Sequence, residues 1–168
     1  MKRLGLYYPV TPHVTNRAWG IPDAAYQEFG FTRHNGVDLA LSTGQPIHAP
    51  FGCRVTKIGN EPNGSGLYVC LLSRRKFRFD DGDTAHVEIT FMHLSEVRTT
   101  VGTRLSIGDV LARGGDTGRA SGSHTHMAPK RVRVNLFGGY REKDKNEANG
   151  TFDPEPYWNG ILASERYP

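Results

Sequence analysis

Residues 53–72 have the sequence CRVTKIGNEPNGSGLYVCLL. Two apolar, partly β-branched runs, Cys53–Ile58 and Leu67–Leu72, flank a segment from Glu61 to Gly66 that is rich in Pro, Asn and Gly. Runs of this length separated by turn-forming residues are typical of two paired antiparallel strands. The stretch therefore predicts a β-hairpin.

The same alternation of short apolar runs and turns continues along the chain, which contains 20 Gly and 10 Pro. Further strands are predicted at His86–His93, Val110–Arg113 and Thr125–Val134. A second hairpin is predicted from Arg74–Phe79 and His86–Phe91 around the turn Asp80–Asp83. Asp23–Phe29 is the best short helix, and the polar segment Gly138–Gly150 is predicted to be a mobile surface loop. The pattern favours an all-β chain with few short helices, folded as one domain over residues 1–168.

The composition narrows the class of protein. Hydrophobic residues make up 37% of the chain and charged residues 23%, as in an ordinary globular protein. No apolar run is long enough for a transmembrane segment. The net charge of +4 favours anionic partners, but Lys and Arg are not clustered with aromatic residues, so nucleic acid is not expected as a partner. The basic N-terminus lacks the apolar core of a signal peptide, which predicts synthesis in the cytoplasm.

The two cysteines, Cys53 and Cys70, do not form a Cys-x-x-Cys pair, which argues against a thiolate zinc site. A hairpin centred on residues 61 and 62 would place them opposite each other, within reach of a disulfide. Two buried free thiols are the favoured alternative.

Four of the seven histidines lie in three short motifs. His34 and Asp38 flank an Asn-Gly bend that can aim both side chains at one point. His124 and His126 project from the same face if their segment is a strand, which suits one metal ligand and one neighbouring proton carrier. A carboxylate and two imidazoles would form a zinc tripod that leaves a position for water, whose pKa zinc lowers to make a nucleophile.

These motifs together resemble the lysostaphin family of zinc metallopeptidases, also called LytM-type peptidases, over about residues 19–157. The matching segments are His34–Leu39, Gly44–Pro50, Met92–Ser95, Val101–Val110, Gly115–His126 and Phe152–Pro154. The resemblance implies a small antiparallel β-sandwich with a groove across the sheet. It also implies a peptidoglycan hydrolase that cuts peptide stems or cross-links of the bacterial cell wall.

The resemblance assigns roles residue by residue. It implies that His34, Asp38 and His126 bind one Zn²⁺ per chain. It implies that His93 and His124 are catalytic, orienting water or substrate and stabilising the oxyanion. A monomer is expected.

The sequence departs from the family pattern after the paired histidines. Met127 and Ala128 stand where the family has an aromatic residue and a glutamate, so a partner of the metal ligands is expected to be missing. The hairpin from Arg74 to Phe91 and the segment from Asn135 to Thr151 are extended, so the substrate preference of the family does not transfer.

Three functions remain open at this point. The first is an active zinc peptidase, and a phage or prophage lysin would fit a catalytic domain with no signal peptide. The second is a non-catalytic cell-wall-binding or regulatory module on the same fold. All five expected site positions are filled, which argues against this second function. The third is a structural component of a phage particle, with the enzyme attached to the virion.

Overall fold

The computed structural model describes residues 2–135, 139–144, 146 and 148–165, which form strands and three short 3-10 helices. The strands are β1 (Leu6–Tyr8), β2 (Thr15–Arg17), β3 (Val37–Ala40), β4 (Pro46–His48), β5 (Cys53–Glu61), β6 (Gly66–Ser73), β7 (Phe77–Arg78), β8 (Thr84–Val97), β9 (Arg104–Leu105), β10 (Val110–Gly114), β11 (His124–Val134), β12 (Tyr140–Glu142) and β13 (Trp158–Leu162). The helices are Ala24–Phe29, Glu155–Tyr157 and Ala163–Glu165. The predicted all-β class is confirmed. None of the helices among the described residues could cross a membrane.

One large antiparallel sheet dominates the fold, with the strand order β2-β3-β11-β8-β6-β5-β9. The long strands β8 and β11 lie side by side at its centre, and β6 pairs with the other edge of β8. Phe91, Met127 and Val69, one from each of these strands, are buried in a single apolar cluster on one face of the sheet. Burial of these side chains fixes the register of the three strands, because a slip by one residue would turn the side chains to the opposite face.

The hairpin predicted from residues 53–72 forms, but its turn lies two residues later than expected. Pairing continues to Glu61 opposite Gly66, so Cys53 faces Ser73 and Cys70 faces Lys57. The expectation that the cysteines oppose each other is therefore wrong. Both are buried free thiols, as the favoured alternative held.

Two other local predictions are also corrected. In the second hairpin only Phe77 and Arg78 pair with β8, so the strand predicted from Arg74 is much shorter. Part of the predicted loop Gly138–Gly150 is strand β12, which pairs with β11. Gly138, Lys145 and Glu147 of that loop lie outside the described residues.

A small aromatic cluster joins the two ends of the chain, where β1 and β13 form a parallel pair. The ring of His13 stacks on Tyr8 with centroids 3.9 Å apart and meets Trp158 edge-on at 4.7 Å. Both ring nitrogens of His13 are buried without a hydrogen-bond partner among the described residues. Burial lowers the pKa of His13 from 6.5 to about 4.

This environment predicts a contribution of His13 to acid sensitivity. The unfolded chain takes up a proton on His13 near pH 6.5, whereas the folded protein does so only near pH 4. Stability is therefore lost as the pH falls through this window. Between pH 7 and pH 4 the free energy of unfolding should fall by about 1 kcal/mol more in the wild type than in His13→Phe, after allowance for partial exposure of the ring. Urea unfolding at both pH values measures the difference, and parallel losses in the two proteins would contradict it.

Candidate metal centre

Two neighbouring strands carry two of the predicted ligands. Asp38 on β3 and His126 on β11 are directly opposed in the antiparallel ladder. His34 precedes β3 and reaches the same point through the bend at Asn35 and Gly36. A Cβ atom at Gly36 would lie 2.6 Å from Nε2 of His126 and 2.5 Å from the carbonyl oxygen of Met127. Only glycine allows the bend to approach β11 this closely.

Three ligand atoms converge at this point. Nδ1 of His126 lies 2.8 Å from Oδ1 of Asp38 and 3.1 Å from Nε2 of His34. Nε2 of His34 lies 3.1 Å from the same carboxylate oxygen. Both imidazoles are buried, and Asp38 is partly buried. The predicted residues His34, Asp38 and His126 are thus brought together as a cluster able to hold a metal ion.

The protonation of His34 tests whether a cation fits this cluster. Nδ1 of His34 lies 2.8 Å from the carbonyl oxygen of Ala18, which can only accept a hydrogen bond. The proton therefore sits on Nδ1, and the lone pair of Nε2 faces Asp38 and His126. A proton on His126 could satisfy Asp38 but would leave this lone pair facing a carboxylate. A cation satisfies all three atoms, so the residues fit a metal ion.

The electrostatics of the cluster favour the forms that bind metal. Burial would raise the pKa of the Asp38 carboxyl, but the imidazoles of His126 and His34 outweigh burial and hold this pKa well below its usual range. Burial lowers the pKa of His126, more than the charge of Asp38 raises it. At neutral pH the site therefore presents a carboxylate and a neutral imidazole, as metal ligation requires.

The other two predicted histidines lie beside the cluster. The rings of His93 and His124 have centroids 4.8 Å apart, and Nε2 of His124 lies 3.9 Å from Oδ1 of Asp38. Nδ1 of His93 donates to the carbonyl of Thr117 at 2.9 Å, and Nδ1 of His124 donates to the carbonyl of Gly122 at 2.8 Å. These bonds leave both Nε2 atoms available to a substrate or a water.

A β-bulge explains the orientation of His93. The pairing of β6 with β8 shifts by one residue between Leu67 and Val69, opposite Met92 and His93. His93 has a φ angle of 61°, a left-handed conformation that non-glycine residues seldom adopt. Bulges of this kind re-aim side chains and are common beside active sites. Burial lowers the pKa of His93, which keeps its imidazole neutral at neutral pH.

Two cavities, of about 460 and 310 Å³, flank the cluster. Five residues line both: Arg17, Tyr26, His93, Arg119 and His126. Sequence reasoning missed Tyr26, whose ring centroid lies 5.8 Å from that of His34. Burial, followed by the charge of Asp38, raises the pKa of Tyr26 to about 12, so its hydroxyl remains a hydrogen-bond donor. The predicted helix after Pro22 was the available signal, but nothing in its sequence linked it to the histidines.

Because Ala128 stands where the family has a glutamate, a metal ligand is expected to lack a partner, and Nε2 of His126 shows such a gap. Within the described part of the chain, Nε2 of His126 is buried and has no hydrogen-bond partner. Ala128, two residues along β11, is also buried and offers no polar side chain. The site therefore holds His126 through Asp38 and through packing against Gly36 instead of through an acceptor at Nε2.

A protein of known structure has the same fold as this chain. The catalytic domain of lysostaphin from Staphylococcus simulans superposes with a TM-score of 0.63 at 20% sequence identity. The match covers 86% of this chain and 91% of that domain. At this identity the likeness concerns the fold alone.

Two curated relatives are more similar in sequence over a shorter stretch. An uncharacterised metalloprotease of Haemophilus influenzae is 32% identical over 93 residues, which cover 55% of this chain and 18% of that protein. Peptidoglycan DD-endopeptidase ShyA of Vibrio cholerae is 30% identical over 93 residues, covering 55% of this chain and 19% of that protein. The alignments thus span about a fifth of each relative. The family model for peptidase family M23 matches residues 32–136, which contain all five predicted site residues, four histidines and one aspartate. The chain belongs to this family.

Proposed function

We propose that this protein is a zinc-dependent endopeptidase that hydrolyses peptide bonds in bacterial peptidoglycan. The observation that carries the proposal is the convergence of His34 Nε2, Asp38 Oδ1 and His126 Nδ1 within 3.1 Å of one another. Two imidazole nitrogens and a carboxylate oxygen are a donor set of the open, catalytic zinc sites of hydrolases. When bound, zinc supplies a Lewis acid that lowers the pKa of a water and polarises a scissile carbonyl.

The chain's own residues would supply proton transfer and hydrogen bonds around that centre. His93 and His124 each present Nε2 beside the cluster, held in this tautomer by a backbone carbonyl. A neutral Nε2 can accept a proton from water and later return it to the leaving amine. The protonated Tyr26 hydroxyl and a protonated imidazole can donate to an oxyanion.

The assignment of peptidoglycan as the substrate is supported by the relatives of this chain and by its net charge. The relative from Vibrio cholerae is named a peptidoglycan DD-endopeptidase. The net charge of +4 suits a substrate in an anionic cell wall. A lytic protein of a phage or prophage is one form of this proposal.

The direct test is digestion of purified sacculi by the zinc-loaded protein. We expect new amino groups and release of soluble glycan strands that have lost their peptide cross-links, and loss of both after dialysis against a chelator. Restoration by added Zn²⁺ would tie the activity to the metal. A protein that carries zinc and releases nothing would favour a binding or regulatory module instead.

The same site predicts a loss of activity in acid. The ligand imidazoles must be neutral to bind metal, and protons compete with zinc as the pH falls. Because burial lowers the pKa of His126 and of His93, their neutral forms persist below the ordinary imidazole value of 6.5. We expect the rate to fall between neutrality and pH 5, with zinc released over the lower part of that range.

Rate and bound zinc should be measured on the same samples across this pH range. Far-UV circular dichroism on each sample separates metal loss from unfolding. A constant rate from pH 5 to pH 8 would contradict a zinc-dependent mechanism that uses neutral histidines.

A further inference from the structure

Arg119 occupies the rim shared by the two cavities beside the metal cluster. Its side chain is 54% exposed, and its ion-pair partner, Glu28, is 55% exposed. Exposed pairs of this kind contribute about 0–1 kcal/mol, so a ligand can displace Glu28 at little cost. The guanidinium is therefore available to a bound substrate.

The backbone that carries Arg119 is rigid. The amide of Arg119 donates to the carbonyl of Gly64 at 2.8 Å. Gly118 has a φ angle of 73°, and a Cβ there would lie 2.2 Å from the amide nitrogen of Gly66. The carbonyl of Thr117, two residues before Arg119, accepts from His93. The backbone at Arg119 is thus fixed relative to His93.

The charges around the smaller cavity favour an anionic group. Of the nine described residues that line it, only Asp38 carries a carboxylate, and Asp38 belongs to the metal cluster. Arg17 also lines the cavity, but it is engaged at 2.5 Å by Asp23, which caps the helix Ala24–Phe29. Arg119 remains as the cation that can pair with substrate, and a guanidinium binds carboxylates through two parallel hydrogen bonds.

We infer that Arg119 binds a free carboxylate beside the scissile bond, so that the preferred substrate is a D-alanyl–diaminopimelate cross-link and not a glycine bridge. This inference rests on the proposed function. In that cross-link the carbon that bears the scissile nitrogen also carries a free carboxylate. A peptide bond inside a glycine bridge has no charged group next to it, and Arg119 would add nothing to its recognition.

The test uses two cross-linked muropeptides that differ only in this carboxylate, one free and one amidated, with pentaglycine blocked at both ends (N-acetylated and C-amidated) as a third substrate. For the wild-type enzyme we expect kcat/KM on the free acid to exceed that on the amide by on the order of tenfold, and pentaglycine to be cut more slowly than the free acid. Arg119→Ala should lose most of this discrimination. Arg119→Lys should retain part of it, because it keeps the charge without the planar fork.

Two controls isolate the role of Arg119. Arg98 is a similarly exposed arginine paired with Glu96 and lines neither cavity, so Arg98→Ala should keep the wild-type ratio. Glu28→Gln should keep or increase the ratio, since it removes the competing carboxylate. Zinc content is measured on every variant.

Equal kcat/KM on the free acid and the amide in the wild type would overturn the inference. An equal loss on both substrates in Arg119→Ala would also overturn it, since that is the result of a structural role. If the zinc-loaded wild type cuts none of the three substrates, the proposed function fails, and this inference fails with it.

Discussion

His126→Ala is expected to purify without zinc and without measurable hydrolysis of peptidoglycan. Nδ1 of His126 is the predicted ligand atom closest to Asp38, at 2.8 Å, and the His126 side chain is buried in the cluster. Its removal leaves His34 and Asp38, and two ligands seldom hold zinc against water and buffer. Metal analysis after dialysis and the appearance of new amino groups in digested sacculi give the two measurements.

A matched histidine on the neighbouring strand provides the control. His86 on β8 pairs with Val132 of β11, further along the same two strands, and its Nδ1 bonds to the carbonyl of Ser73. His86→Ala should therefore keep one zinc per chain and near wild-type hydrolysis. Full zinc occupancy in His126→Ala would show that the ligand set is assigned wrongly.

The strands were predictable from sequence because local chemistry defines them. Apolar runs between Gly, Pro and Asn marked β5, β6, β8, β10 and β11 to within a few residues at most ends. The turn at the end of β5 was misplaced because Glu61 and Gly66 continue the ladder, and Pro and Asn in the middle give no signal of where pairing stops. A shift of two residues was enough to separate the cysteines.

The candidate metal cluster was predictable for a different reason. His34, Asp38 and His126 lie in motifs whose spacing matches a known family, and the antiparallel pairing of β3 with β11 brings them together. Residues outside the motifs could not be found this way. Tyr26 reaches the site through long-range packing of the 3-10 helix and leaves no local pattern in the sequence. Arg119 lies inside the matching segment Gly115–His126, but nothing in that motif indicates that its side chain lines the cavities.

The second large effect is expected at the two histidines beside the cluster. His93→Ala and His124→Ala should each keep zinc and lose about a hundredfold in kcat, because proton transfer and oxyanion stabilisation commonly contribute that much. Neither residue belongs to the three-atom cluster, so metal content should stay near one per chain. Single-turnover hydrolysis of a muropeptide and metal analysis of the same preparation separate the two properties.

The left-handed backbone of His93 calls for a second variant at that position. Alanine is strained at a φ angle of 61°, so His93→Ala could lose activity by disturbing the bulge on β8. Asparagine tolerates this conformation and keeps a polar side chain, but it cannot carry a proton at neutral pH. If His93 transfers protons, His93→Asn should be as slow as His93→Ala while unfolding at nearly the wild-type urea concentration.

Recovery of most of the rate in His93→Asn would show instead that position 93 contributes through backbone geometry or hydrogen bonding alone. Loss of zinc from either His93 variant, with zinc retained in His34→Ala, would contradict the division of the four histidines into ligands and proton carriers.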